Sequence, residues 1–299
     1  MGYAFAGALQ GRFMQSVIHR GAVSRKQAAR SLRSGLCLGL LLAWGGWIGA
    51  QAQTDTRAAP KTLQLCYERL DIHPWRTVDG RGLNFELIRM AAAKAGVTVQ
   101  FVTLPWKRCL SEMQEGVMHG VFAASFAPDR LAMGAYPGGN PPDPALQLYS
   151  DGYVLVRRKN DAVQWDGKNV TGLTGPVGAQ VGYSVANDLR RLGVAVDEGS
   201  QTARELLQKL QLGRLGAAAL GNSDALNLLG DRARAGEFGA NLEVLPQPLM
   251  QKAYYLMLSN QLVQQAPDLA DRLWRQIGAV RRSPDYQKLQ QDVAAGRKP

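Results

Sequence analysis

Along the first half of the chain, apolar positions recur at a spacing of two and then of three to four, the signatures of strand and helix. Leu63, Leu65 and Tyr67 alternate and predict a strand over 62–67. Leu83, Leu87, Met90, Ala91 and Ala95 return at helical intervals, and Gly96 stands where such a helix stops. A β-branched stretch predicts a strand over 97–103, Pro105 opens a helix that Gly116 closes, and 117–125 reads as a third, mostly apolar strand. Strand, helix, strand, helix, strand means parallel neighbours joined by helical crossovers.

Residues 135–144, with four prolines and two glycines, interrupt this pattern with a loop that neither helix nor strand tolerates. Beyond it the pattern predicts strands over 153–157, 176–181, 216–220 and 253–258, and helices over 185–192, 203–212, 223–229, 267–280 and 284–294. Leu269, Leu273 and Ile277 mark one apolar face in the tail. Two βα-rich halves, with the tail returning after the second, predict an α/β chain of two lobes. Lobe 1 takes 61–151 plus 253–299 and lobe 2 takes 152–252, with crossings at Ser150–Tyr153 and Met250–Tyr254. Such a chain hinges around a cleft.

Charge changes the picture only at the start. Of 35 Lys and Arg, six fall in residues 1–52, which hold no Asp or Glu, although the whole chain has 24. The remainder is only weakly basic, too little for a nucleic-acid footprint. The early basic residues end at Arg33, and an apolar run over 34–49 leads to Ala50-Gln51-Ala52, the order of a secretory signal. Residues 1–52 are therefore expected to be a signal peptide cleaved after Ala52, with Met14 an alternative start. A membrane anchor is the rival reading, but the run falls short of the roughly 20 apolar residues a bilayer span needs. The expected product is periplasmic.

Export gives the cysteines meaning. Removing the leader with Cys37 leaves Cys66 and Cys109, for which an oxidising compartment favours a disulfide. Zinc is the competing use, yet among Cys66, Cys109, His73 and His119 no pair has the two-to-four-residue spacing of a structural site. No metal or other cofactor is expected, and His119, inside an apolar run, reads as a core histidine with one backbone hydrogen bond.

Several blocks, in order, resemble a known family: Cys66-Tyr67-Glu68, His73-Pro74-Trp75, Gly82-Leu83-Asn84-Phe85, Leu104-Pro105-Trp106-Lys107-Arg108-Cys109-Leu110, Pro128-Asp129-Arg130, Gly178-Ala179-Gln180-Val181-Gly182-Tyr183-Ser184 and Tyr254-Tyr255-Leu256. The chain is similar to the family 3 periplasmic solute-binding proteins, the amino-acid-binding type of ABC-transporter receptor, and to a proteobacterial subgroup with the Pro-Trp-Lys-Arg-Cys block. The resemblance implies the type II periplasmic binding protein fold, each lobe a mostly parallel sheet flanked by helices. It also implies a small-molecule ligand, with an ABC permease or a sensor as partner, and a monomer is expected.

Carried over residue by residue, the resemblance places Arg130 on a ligand carboxylate and Trp106 as an aromatic wall, with Trp75 or Tyr67 opposite. The bland alternative for Arg130 is a surface pair with Asp129. Ser125 and Phe126 end the third strand, where parallel sheets hold ligands. Gly182, Tyr183 and Ser184 open a helix whose N–H groups suit an anion, Ser184 otherwise serving only as the N-cap. One departure matters: where the family carries an acid after the second-lobe strand, this chain has Gly221 and Asn222. Asp224, on a helix starting at Ser223, is expected to point elsewhere, which favours an organic acid at least as much as an α-amino acid. No catalytic spacing appears, so a non-enzyme is expected. Glu68 is read as an outer or solvated carboxylate, and a periplasmic lyase or dehydratase on the same scaffold is the alternative. With nothing appended after residue 299, the chain reads as a stand-alone receptor.

Overall fold

A computed structural model describes residues 59–230 and 236–297. The expected leader, its cleavage point, Met14 and Cys37 lie outside the described residues. The first lobe opens with β1 (Thr62–Glu68), α1 (Leu83–Ala95), β2 (Thr98–Leu104), α2 (Trp106–Gln114) and β3 (Gly120–Ser125). Both β2 and β3 run parallel to β1, with Thr62 opposite Thr98 and Leu65 opposite Gly120. α1 buries Leu83, Leu87, Ile88, Ala91 and Ala95 and ends at Gly96, whose φ of 79° is the left-handed cap that glycine adopts without Cβ strain.

A short β4 (Gly134–Ala135) precedes β5 (Tyr149–Arg158), the hairpin of β6 (Gln164–Trp165) and β7 (Val170–Thr171), and β8 (Val177–Gln180). Then follow α3 (Val185–Arg191), β9 (Val196–Ser200), α4 (Ala203–Gln211), β10 (Ala217–Gly221), α5 (Asn222–Leu229) and β11 (Leu242–Val244). The chain returns through β12 (Met250–Ser259) to α6 (Asn260–Gln265), α7 (Pro267–Arg281) and α8 (Pro284–Ala294). Alternation along the central strands sends side chains to helices on both faces: Leu155, Ala217 and Ala219 join Val185 and Leu189, whereas Val156, Ala218 and Leu220 join Leu206 and Leu210. In the first lobe Leu63, Leu65 and Phe122 pack with Ile88, Leu273 and Ile277, so the tail completes that core. Each such fully buried side chain contributes roughly 1.5–3 kcal/mol.

The crossings have more structure than the sequence pattern implied. β5 and β12 pair antiparallel, Tyr149 opposite Tyr254 and Tyr153 opposite Met250. They lie side by side at the centre of one path, β2-β1-β3-β12-β5-β10-β8-β9, so hydrogen-bonded pairing continues from lobe to lobe. This explains why β12 begins at Met250 and not at residue 253: its first residues find their partner in the other crossing. β9 went unread because Val-Asp-Glu-Gly-Ser carries no apolar alternation, as befits an edge strand.

Cys66, near the end of β1, and Cys109, in the first turns of α2, form a disulfide with both residues fully buried. His119 is partly buried, accepts the Gln64 N–H at Nδ1 over 2.9 Å, and titrates below the ordinary histidine value because of burial. Among the described residues, no group of three or more His, Cys, Asp or Glu is placed to hold a metal ion, and no helix is long and apolar enough to cross a membrane.

Candidate functional site

The cleft lies where β3 ends, beside the paired crossings. β3 carries one residue more than β12 between Phe122 and Ala124, and that residue, Ala123, takes a left-handed φ of 59° and lines the cleft. A bulge of this kind re-aims the strand end. Immediately after it, a 3-10 turn over Pro128–Ala132 carries Arg130 back over the sheet.

Arg130 is only 4% exposed. Its Nη1 donates to the Ser125 carbonyl oxygen over 2.7 Å and its Nη2 to the Gly182 carbonyl oxygen of the other lobe over 2.8 Å. The guanidinium also sits 5.2 Å from the Trp106 ring centroid, a cation–π distance, and Trp106 Nε1 donates to the same Gly182 oxygen over 3.1 Å. The surface pairing with Asp129 does not occur: Asp129 accepts from Asn187 Nδ2 instead. Gly182 has φ 74°, and a Cβ there would stand 3.3 Å from the Trp106 ring, so glycine allows both the turn and the approach. Ser184 occupies the N-cap position of α3 but makes no capping bond; its Oγ meets Ser125 Oγ across the cleft at 2.7 Å.

The opposite end is acidic. Glu68 is not solvated: it is 5% exposed, its Oε2 receiving Arg76 Nη2 and the Tyr183 hydroxyl, each over 2.6 Å. Burial works against the Arg76 charge, but Glu68, together with Tyr183 and Tyr149, holds the guanidinium above its ordinary value. Asp151 accepts from its neighbour's N–H at 2.8 Å and from Ser223 Oγ at 3.1 Å, yet burial still raises its carboxyl. Asp224 is the larger correction. α5 begins at Asn222, one residue before the expected start, and Asp224 stands in its first turn. Asp224 lines the cleft, where burial, reinforced by Glu68 and Asp151 and opposed by Arg76, pushes its carboxyl up to about 7. The acid expected to be missing from this wall is supplied, and the argument against an α-amino acid falls with it.

Tyr149, Tyr153 and Tyr254 from the crossings close the remaining wall, all titrating well above the ordinary tyrosine value through burial. The space left is about 40 Å³, room for a few waters.

Of the residues singled out by sequence, Arg130, Trp106, Ser125, Tyr183 and Ser184 line this cavity, with Gly182 bonded to two of them. Four do not reach it. Tyr67 packs inward on Phe85 and Phe122 and donates to the Val78 carbonyl oxygen. Trp75 stacks on Tyr149 from outside, ring centroids 4.3 Å apart, and lines a separate surface groove. Phe126 packs edge-on against Tyr136. Asn222 faces solvent. Sequence reasoning missed Arg76, Asp151, Ser223 and the crossing tyrosines. The signal available for Asp151, Tyr153 and Tyr254 was their position in the two crossings.

No protein-family model matches the chain, and no curated protein matches it in sequence. Solved structures do match its shape. A histidine kinase sensor domain with similarity to periplasmic binding proteins gives a TM-score of 0.60 at 16% identity, over 78% of this chain and 95% of that one. An ancestral arginine-binding protein bound to arginine gives 0.56 at 18%, over 78% and 98%. The GluR0 ligand-binding core from Nostoc punctiforme in complex with L-glutamate gives 0.56 at 16%, over 76% and 96%. With its mixed sheet, paired crossings and central cleft, the chain has the two-lobed α/β fold of the periplasmic binding proteins.

Proposed function

We propose that the protein is an exported, periplasmic solute-binding protein of the amino-acid-binding type. It captures a small carboxylate-bearing solute between lobes spanning 61–151 plus 253–299 and 152–252, as a monomer, and presents it to an ABC permease or a sensor protein. One observation carries this reading: Arg130 is buried between the lobes with neutral acceptors on both sides and no carboxylate in ion-pair range among the described residues. A desolvated guanidinium fork without a counter-charge is matched by a carboxylate, which it takes bidentately. Trp106, Ser125, Tyr183 and Ser184 form the rest of that wall. The buried disulfide suits an oxidising compartment, and matched proteins that bind L-glutamate and arginine support an amino acid as solute.

A thermal-shift screen of the protein purified from periplasm, against amino acids, organic acids and amines, tests the proposal, since a solute that binds only the native state raises its apparent stability. At least one carboxylate-bearing compound is expected to raise the midpoint. Calorimetric titration of that compound is then expected to show roughly 2–5 kcal/mol lost in Arg130→Ala, with a smaller loss in Arg130→Lys, which keeps the charge without the fork. Unchanged affinity in Arg130→Ala overturns the site. A second reading, a lyase on the same scaffold, is favoured by Asp224, whose carboxyl near neutrality suits a general acid. Mass spectrometry of the bound compound separates the two, turnover supporting the lyase.

A further inference from the structure

Building on the solute-binding reading above, we infer that the cleft selects an amino acid that bears a second cationic group, and that the Asp151–Asp224 pair is the subsite that recognises it. The cleft lining holds five charged side chains, Arg76, Arg130, Glu68, Asp151 and Asp224. Arg76 and Glu68 neutralise each other through their 2.6 Å pair. A ligand carboxylate on Arg130 uses the other cation. Asp151 and Asp224 are then left facing the ligand with no basic partner.

Their geometry makes them one subsite. A Cβ placed on Gly221 would stand 3.8 Å from Oδ2 of Asp151 and 3.8 Å from Oδ2 of Asp224, so the two oxygens lie at most twice that distance apart, over a residue with no side chain. Ser223 supplies a hydroxyl to Asp151, whereas Asp224 has neither a hydrogen-bond nor an ion-pair partner among the described residues. Arg76, 3% exposed, lines the same cavity but is committed to Glu68 and does not pair with either aspartate. Asp224 also lines an outer groove between the lobes, bounded by Asp71 and His73 on one side and Arg204 on the other. A chain extending from the Arg130 end past Asp224 therefore has somewhere to continue.

Charge decides the class. A ligand with one carboxylate and two cationic groups brings the subsite to neutrality with both aspartates ionised. A simple zwitterion leaves one negative charge unless a proton remains on the pair, and an acidic amino acid leaves two. Burying unmatched charge is the costliest of these outcomes. Asp224 faces Asp151 from β5, Glu68 from β1 and Arg76 from the segment after it, with the groove's Asp71, His73 and Arg204 farther out. Its carboxyl, held near 7, is half protonated at neutral pH in the free protein. A dicationic amino acid binds the ionised pair and expels that proton; a zwitterion retains it.

The test is calorimetric titration of L-arginine, L-lysine, L-glutamine and L-glutamate into the wild-type protein and into Asp224→Asn, at pH 6 and pH 8. Arginine or lysine is expected to bind at least about tenfold more tightly than glutamine, with glutamate weakest, and to gain several-fold from pH 6 to pH 8. Asp224→Asn is expected to lower that affinity at least about tenfold and to leave glutamine within about threefold. Should the variant fail to fold, titrating wild type at pH 7 in buffers of different ionisation enthalpy serves instead: arginine or lysine releases a proton and glutamine does not. Glutamine or glutamate binding most tightly, with Arg130 still required, overturns this inference and leaves the solute-binding reading standing. If no amino acid or other carboxylate binds at all, both fall.

Discussion

Arg130 and Arg76 lie in the same cleft with opposite fates: Arg76 is committed to Glu68, and Arg130 rests on two carbonyl oxygens and an indole face. Asp224 adds a cost that depends on pH. Its folded value lies above that of an exposed aspartate, so its contribution to folding is complete below about pH 4 and is lost as pH rises through about 7. Asp224→Asn should therefore stabilise the protein at pH 8 by on the order of 3 kcal/mol, the gain shrinking towards pH 4. Urea unfolding midpoints at both ends check this, and a gain independent of pH would show that burial of the charge is not the cause. Arg130 and Trp106 were legible through the family resemblance, and both do line the cleft. Tyr67 and Trp75 were not, since composition cannot tell a ring facing the cleft from one packed behind it. Asp224 was lost because a helix start read from sequence does not fix which way a first-turn side chain points.

At the scale of elements, α2 is tied to β1 by the disulfide, which joins the helix one turn beyond Trp106 to the strand two residues before Glu68. Protein taken from the periplasm and denatured without reductant should show no titratable thiol. Replacing both Cys66 and Cys109 by Ser should cost about 2–4 kcal/mol of stability, read by chemical denaturation. Two free thiols in the unreduced protein would remove the basis for this. Long periodic elements such as α1 and α7 were legible from spacing alone, whereas the Cys66–Cys109 bond was expected from the leader and the compartment it implies. The β3 bulge at Ala123 was not, because nothing in an apolar run marks which residue drops out of register. Nor was the pairing of the crossings, a contact between segments about 100 residues apart that no local pattern encodes.

For the whole molecule, side-chain links among the described residues span the cleft: Arg130 and Trp106 to Gly182, Ser125 to Ser184, Tyr183 to Glu68 and Asn187 to Asp129. All of them depend on closure. A solute that enters must break some and replace them, and it favours the closed state only by its differential affinity for it. On the proposed lobe bounds the chain passes between the lobes through the paired strands β5 and β12, where the bend is expected. The measurement that bears most directly on this account is small-angle scattering of wild type and Arg130→Ala, each with and without the best solute from the screen at one fixed concentration. The radius of gyration should contract with solute in wild type and stay constant in Arg130→Ala. A wild-type radius unchanged by saturating solute, or an equal contraction in the variant, would contradict it.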